Sequence, residues 1–361
     1  APLVRLNRVN SVPDGVLNDL KSRLKWYTSD WRDGLHSKVI AAVLFMFFAC
    51  IAPAVAFGGM LSIETSGQIG VLEMVFATAL CGVLYSIFSG QPLTILGGTG
   101  PLLVFTGILY ELCSKYSLPF LPVYAWIGLW TALFLIVLGI SGASRAMGYF
   151  TRFTDEVFAG LISLIFIFQA VKGVLAAFPS QHVPDDAALF GLVLAVATYS
   201  VAHSLATFRH SPYLRRTVRD FLADFGPAIA VISAVAGRFL LPQVALPSLA
   251  MPDGFATTSG RPWLVSLGDL PWTLALLCCV PGALVALLIF LDQNITVRII
   301  QSPSNKLMKG PSFHWDLIVV SILVALCSLL GLPWLVAATV RSINHVRALS
   351  LTKGQGADAE L

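Results

Sequence analysis

Two residues in this chain stand where an apolar run would otherwise carry no charge, and both could do chemistry. Asp292 closes the run 272–291, which holds no other charged residue. An ionisable side chain set against such a run is a functional candidate, although a carboxylate at an ordinary helix end would look the same. Thr296 follows four residues on and so shares its helical face. Arg341 comes shortly after a break at Gly331-Leu332-Pro333-Trp334, and Ala337-Ala338-Thr339-Val340-Arg341-Ser342 reads as the start of a new, short helix. The first turn of that helix presents unpaired N–H groups and a positive dipole end, and Arg341 adds a full charge. Both features favour an anion. An arginine snorkelling to an interface from a helix end is the blander account, but the place of Arg341 about one turn past the break favours the site.

The composition says what surrounds these residues. The chain has 361 residues, 57% hydrophobic and 12% charged, with a mean hydropathy of +0.81. Water could not solvate such a surface whereas lipid could, so the expected class is an all-α polytopic membrane protein with the lipid bilayer as its first partner. The net charge of +4 is too modest to point to nucleic acid. No paired carboxylates, nucleophile elbow or metal-ligand set supports an enzyme, and no cofactor is expected. Cys50, Cys81, Cys113, Cys278, Cys279 and Cys327 lie in or beside apolar runs and read as small buried hydrophobes. No cleavable signal is readable at the front.

Apolar runs of about 20 residues suffice to cross a bilayer. They fall at 39–57, 70–88, 123–140, 157–177, 187–207, 221–241, 272–291 and 315–330, with two interrupted segments at 92–112 and 332–346, ten in all. The stretch before them mixes basic and acidic residues with Trp26, Tyr27 and Trp31 and reads as an interfacial lead-in. Loops after even-numbered spans carry Arg145 and Arg152, then Arg209, Arg215, Arg216 and Arg219, then Arg298, Lys306 and Lys309. The opposite loops are poorer in basic residues, which predicts a cytoplasmic amino terminus.

The interrupted segments are third and tenth. They stand seven apart, and a repeat with an odd number of spans inverts its second copy. The earlier break, Gly97-Gly98-Thr99-Gly100-Pro101, has the same grammar as the later one: an extended stretch, glycine and proline, then a half-helix. Broken helices at membrane depth persist only where protein or a water-filled cavity satisfies the freed backbone. Paired breaks point to a transport site near the midplane. Gly98 and Gly100 flank Thr99 and let backbone approach a ligand closely, as a simple hinge would also require. The second copy lacks four spans, so the sequence is expected to be a piece of a larger transporter.

At these residues the chain resembles the bicarbonate transporter family, which comprises chloride/bicarbonate anion exchangers and sodium-coupled bicarbonate cotransporters. The resemblance rests on long motifs in fixed order. They include Ala52-Pro53-Ala54 with Phe57-Gly58-Gly59, Gln91-Pro92-Leu93 through Phe105, and Phe153-Thr154-Asp155-Glu156. Pro252-Asp253-Gly254-Phe255, Phe290-Leu291-Asp292-Gln293-Asn294-Ile295-Thr296 and Gly331-Leu332-Pro333-Trp334 follow. The resemblance implies a fold of fourteen spans in two inverted repeats of seven, about ten of them present here. It divides the chain into a cytoplasmic lead-in (1–38), core (39–142 and 272–349), gate (143–242), an extracellular loop (243–271) and a polar tail at a truncation point (350–361). It also implies a homodimer in the plasma membrane and an elevator-like motion of core against gate.

The family's site positions carry over one at a time. Arg341 matches an arginine that lines the anion site in the exchangers and is uncharged in most sodium-coupled members. Thr339 matches a site threonine, and with Val340 it lies in the same half-helix start. Gly98, Thr99 and Gly100 belong to the opposite start. Asp292 stands where exchangers have glutamate and sodium-coupled members aspartate, and Thr296 matches a threonine that helps line the Na+ site. The two ends of the site therefore disagree. A permanent guanidinium weakens the case for a nearby Na+, so the reading leans to sodium-independent exchange of chloride for bicarbonate. Sodium-coupled cotransport, borate transport and an anion channel remain as alternatives. Lys172 lies near lysines that in the family react with stilbene disulfonate inhibitors, and Gln169 stands where relatives often carry an acid.

Overall fold

The computed structural model describes residues 14–144, 152–175, 177–178, 184–208, 211–244, 246, 252, 254–307 and 312–350. The helices are α1 (Asp14–Asp33), α2 (Ser37–Glu64), α3 (Val71–Phe88), α4 (Gly100–Lys115), α5 (Phe120–Ser141), α6 (Arg152–Leu175) and α7 (Asp185–Thr207). They continue with α8 (Arg216–Asp224), α9 (Gly226–Arg238), α10 (Trp272–Leu277), α11 (Cys279–Ile300), α12 (His314–Leu330) and α13 (Thr339–Leu349). Two short strands, β1 (Leu96–Gly97) and β2 (Val336–Ala337), pair with each other. Among the described residues, five stretches are long and apolar enough to cross a membrane: Ala42–Glu64 of α2, α3, α5, α7, and Trp272–Ile300 through α10 and α11.

Two spans, 221–241 and 272–291, depart from the sequence reading, and the two interrupted segments follow it. Residues 221–241 do not make one helix: α8 ends at Asp224 and α9 restarts at Gly226, with Pro227 in its first turn. Proline cannot donate to the preceding turn, so the chain breaks there. The run read as 272–291 divides at Cys278, just before Pro281, and then continues to Ile300. Asp292 is therefore inside a helix rather than at its end. Segments 92–112 and 332–346 are helical only in their second parts, because extended backbone occupies the first.

The chain forms two compact units. One comprises Ala1–Val43, Pro53–Val157 and Ala250–Leu361; the other Leu44–Ala52 and Phe158–Leu249. In the second unit α7 packs against α9 and α8. Phe225, at the α8–α9 joint, stacks on Phe221 and takes Phe45 and Phe48 edge-on.

In the first unit α5 is the central helix, lying against α11 and α12. A Cβ at Gly128 of α5 would overlap Ser328 of α12, and one at Gly282 of α11 would press on Trp130 and the Ile127 carbonyl. Small residues at such crossings let backbones approach, which in lipid replaces the hydrophobic drive for helix association. Thr131 uses that closeness to donate to the Gly282 carbonyl at 3.1 Å.

Polar ties then fix both ends of α12. At its start the Asp19 carboxylate of α1 accepts from the N–H groups of Phe313, His314 and Trp315 at 3.1, 2.9 and 3.2 Å. Burial nevertheless raises the Asp19 pKa above its ordinary 3.8, while those bonds and His314 act the other way. Asp316 accepts from the N–H groups of Gly90 (2.6 Å) and Gln91 (3.3 Å) and from the Ser312 hydroxyl, anchoring the linker that leads to β1. At the other end Gly331 takes the left-handed conformation (φ 62) that stops the helix. The Arg261 guanidinium donates to the Leu330 and Gly331 carbonyls, the latter at 2.8 Å. Burial lowers the Arg261 pKa, and the Glu73 charge opposes that shift.

Candidate functional site

The two breaks meet. β1 and β2 run antiparallel, with Leu96 opposite Ala337 and Gly97 opposite Val336. The Ala338 N–H extends the ladder to the Ile95 carbonyl at 2.8 Å. Each strand leads directly into a helix, β1 into α4 and β2 into α13, so the pairing sets two helix N-termini side by side. Neither N-terminus has a side-chain cap: Thr99 at the start of α4 and Ala338 at the start of α13 make no capping bond. The first-turn N–H groups of both helices thus lack intrahelical partners, the arrangement that binds anions.

The second linker is held by an aromatic clamp. Tyr124 of α5 and Trp334 stack at 4.0 Å with their planes 4° apart. The Tyr124 hydroxyl donates to the Leu332 carbonyl (3.3 Å) and accepts from the Trp334 N–H (3.2 Å), and the Trp334 indole donates to Ser328 (2.8 Å). Gln293 of α11 accepts from the Ala337 N–H at 3.2 Å and donates to the Tyr85 hydroxyl, also at 3.2 Å. Ser342 receives the Ile95 N–H at 2.9 Å.

Arg341, in the first turn of α13, is 9% exposed and reaches across to the other break, where its Nη2 donates to the Gly98 carbonyl at 3.1 Å. A Cβ on Gly97 would overlap the guanidinium, so the absence of a side chain there makes room for the charge. Thr339 and Thr296 share a hydrogen bond of 2.7 Å, and Thr296 also donates to the Ala337 carbonyl at 3.3 Å. This second turn of the Asp292 face therefore positions α13. Asp292 is itself 6% exposed, and its Oδ2 has no hydrogen-bond partner. The Thr99 hydroxyl faces the Asp292 carboxyl without closing a bond to it, and its Oγ1 is also buried and unpartnered.

Five of the expected residues, Arg341, Gly98, Thr99, Gly100 and Asp292, thus surround the paired strands, and Thr296 and Thr339 brace them. The Val340 side chain is 72% exposed and stands outside the buried cluster. Lys172 is exposed in the last turn of α6, in the second unit; the side chain of Gln169 lies outside the described residues. A cavity of about 10 Å³, lined by Phe57, Gly98, Thr99, Pro333 and Trp334 among others, opens beside the α4 start. It has room for about one water. Among the described residues no three His, Cys, Asp or Glu side chains gather to hold a metal.

Sequence reasoning missed Gly97, Gln293, Ser342 and the Tyr124–Trp334 clamp. Gln293 had a signal, since Asp292-Gln293-Asn294 is a polar run inside an apolar helix. The clamp had none, because its partners are 210 residues apart.

The family model for the "HCO3- transporter integral membrane domain" matches residues 11–186 and 179–360. The chain belongs to the bicarbonate transporter family. Similar relatives include the rat electroneutral sodium bicarbonate exchanger 1, 36% identical over 425 aligned residues covering 98% of this chain and 39% of the relative. The mouse anion exchange protein 3 is 36% identical over 387 aligned residues, covering 96% of this chain and 32% of the relative. The chain thus spans less than two fifths of the length of these relatives. The transmembrane domain of a cyanobacterium bicarbonate transporter, BicA, has the same fold, with a TM-score of 0.61, 15% identity and coverage of 87% of this chain and 78% of that one. This bicarbonate transporter family member is accordingly a helical, multi-pass membrane protein with the fold of a transporter rather than an enzyme.

Proposed function

We propose that this chain belongs to a secondary transporter that exchanges bicarbonate for chloride across the plasma membrane, at a site between the α4 and α13 starts. The observation that carries this reading is Arg341, a buried permanent cation that joins two helix N-termini whose N–H groups have no intrahelical partner. A small monoanion placed there gains the guanidinium charge and N–H donors from both half-helices. Borate would meet the same donors. In the fuller reading the amino terminus is cytoplasmic, two protomers associate, and core slides against gate in an elevator-like cycle. A carrier of this kind saturates and shows trans-stimulation, which an anion channel does not.

A second reading, sodium-coupled bicarbonate transport, is favoured by a different observation. Asp292 Oδ2 and Thr99 Oγ1 are buried oxygens without partners, and an unpaired buried carboxylate is costly until a cation or proton reaches it. Na+ would enter there as a co-substrate. The relatives include both an anion exchanger and a sodium bicarbonate exchanger by name. The discriminating experiment is intracellular pH recovery in bicarbonate, with Na+ and Cl− removed in turn, in cells expressing the protein. Recovery that needs Cl− and ignores Na+ supports exchange; recovery that stops without Na+ overturns it in favour of coupling at Asp292.

A further inference from the structure

The short loop 257–265 is tied to a segment that leads into each of the two breaks. On one side it holds α3. Glu73, fully buried in the first turn of α3, accepts from the Thr258 N–H at 2.7 Å, the Thr258 hydroxyl at 2.6 Å and the Gly70 N–H at 2.9 Å. The next residue, Met74, packs on the first break: a Cβ at Gly98 would lie 3.0 Å from the Met74 Cε. On the other side the loop holds the end of α12. The Val265 N–H donates to the Leu329 carbonyl at 2.8 Å, and Arg261 donates to the Leu330 and Gly331 carbonyls at 3.3 and 2.8 Å. Gly331 opens the second break, which runs on through Trp334 to β2. A Cβ at Gly331 would overlap the Arg261 guanidinium, so this contact needs glycine there as much as the helix stop does.

Thr258 and Arg261 stand three residues apart, and the turn between them is closed on itself. The Thr257 hydroxyl donates to the Arg261 carbonyl at 2.6 Å, and the Gly260 N–H to the Thr257 carbonyl at 2.9 Å. Gly260 takes the left-handed conformation (φ 70) that the turn requires. A turn so closed transmits a displacement from one tie to the other. Capping accounts for a cation at the end of α12 and for a carboxylate at the start of α3. It does not account for one tight turn serving both, nor for the two tied segments meeting again at the small cavity beside the α4 start, which Met74 and Trp334 both line.

We infer that Arg261 and Glu73 are positioning residues: through the turn that joins them they set the separation of the α4 and α13 starts, and so the affinity of the anion site. This rests on the proposed reading of that site. Neither residue touches the anion. Arg261 acts through Gly331 and the linker that carries Trp334, and Glu73 acts through Met74 and Gly98. Donors fixed at one separation need no reordering when the anion arrives, and an anion shared by two helix starts binds less well once either start shifts.

The test measures chloride and bicarbonate KM in cells expressing the protein at matched surface abundance, together with backbone hydrogen exchange of the purified protein in phosphatidylcholine nanodiscs. Arg261→Gln is expected to raise KM about fivefold with a smaller change in kcat, and Arg261→Lys, which keeps a charged donor for the Gly331 carbonyl, to recover most of that loss. Exchange is expected to quicken at both breaks, 96–100 and 334–340, as well as in the loop. Thr258→Val keeps the side-chain shape and the Thr258 N–H bond to Glu73, so it decides the matter even if Arg261→Gln fails to fold; a KM rise of about twofold and faster exchange at 96–100 are expected. Wild-type KM in both variants overturns the proposal, whatever the flux per cell, and so does faster exchange confined to 257–265. Arg341→Ala separates this failure from that of the site itself. If Arg341→Ala weakens anion binding while the loop variants do not, only the positioning role falls. If Arg341→Ala also leaves binding intact, the reading of the site falls, and the control of its affinity falls with it.

Discussion

The two half-helix starts share a sequence grammar but differ in how completely their polar groups are satisfied. At the α13 start, Ala337 is held by Gln293, Thr339 by Thr296, and Ser342 by Ile95, while Arg341 spans the gap to Gly98. At the α4 start, Thr99 caps nothing and its hydroxyl is unpartnered, flanked by glycines and followed by a proline without an N–H. Leaving a buried hydroxyl unpaired costs about 1–3 kcal/mol. Such a cost persists in a folded protein where a ligand repays it. On the proposed function, the α13 start is then the positioned half of the site, and the α4 start with Asp292 the receiving half.

The largest effect should come from removing the charge that bridges the halves. Arg341→Ala is expected to weaken anion binding by about tenfold to a hundredfold, the loss of a charge-assisted hydrogen bond and its field. Chloride or bicarbonate efflux at matched surface abundance measures it, and wild-type flux would remove Arg341 from the site. A smaller effect should follow from Gly97→Ala. The added Cβ meets first the tip of the Arg341 side chain, so the guanidinium must move. The expected result is a rise in anion KM of roughly fivefold, about 1 kcal/mol, with little change in melting temperature. An unchanged KM would mean that the position of the guanidinium does not matter.

Much of this arrangement was readable before the fold was known. Helices were recognisable because apolar runs of bilayer length have few alternatives in lipid, and the breaks were marked by glycine and proline. The pairing of Leu96 with Ala337 was not readable, although facing half-helices were, because strands this short carry no alternation to recognise. Gly97 reads in the sequence only as part of the break, and the path of Arg341 shows what its missing side chain makes room for. The extent of α11 differs from the sequence reading for a physical reason: the polar run at Asp292-Gln293-Asn294 looks like a helix end, but the run is fully buried, with Gln293 bonded to Ala337, Asn294 bonded back to the Phe290 carbonyl of its own helix, and Asp292 beside the paired strands.

The receiving half can be tested through its charge. Asp292→Asn keeps the shape and removes the negative charge. If Asp292 receives a cation, the substitution abolishes any dependence of flux on Na+ or on pH and changes anion KM less than Arg341→Ala does. Flux measured across a range of Na+ and pH decides this. Unchanged coupling would make the carboxyl a passive packing group and leave Thr99 as the receiving group.

The smallest effects give the sharpest contrast, because they compare one substitution in two places. Thr296→Val deletes the hydroxyl that holds Thr339 and strands its partner in a part-buried setting, which should cost about 1 kcal/mol of stability. Thr99→Val deletes a hydroxyl that has no partner, so the melting temperature should hold or rise slightly while ion affinity falls. The two variants should therefore move stability and affinity in opposite patterns. If Thr99→Val destabilises as much as Thr296→Val without touching affinity, both threonines are braces. The division into a positioned half and a receiving half would then fail.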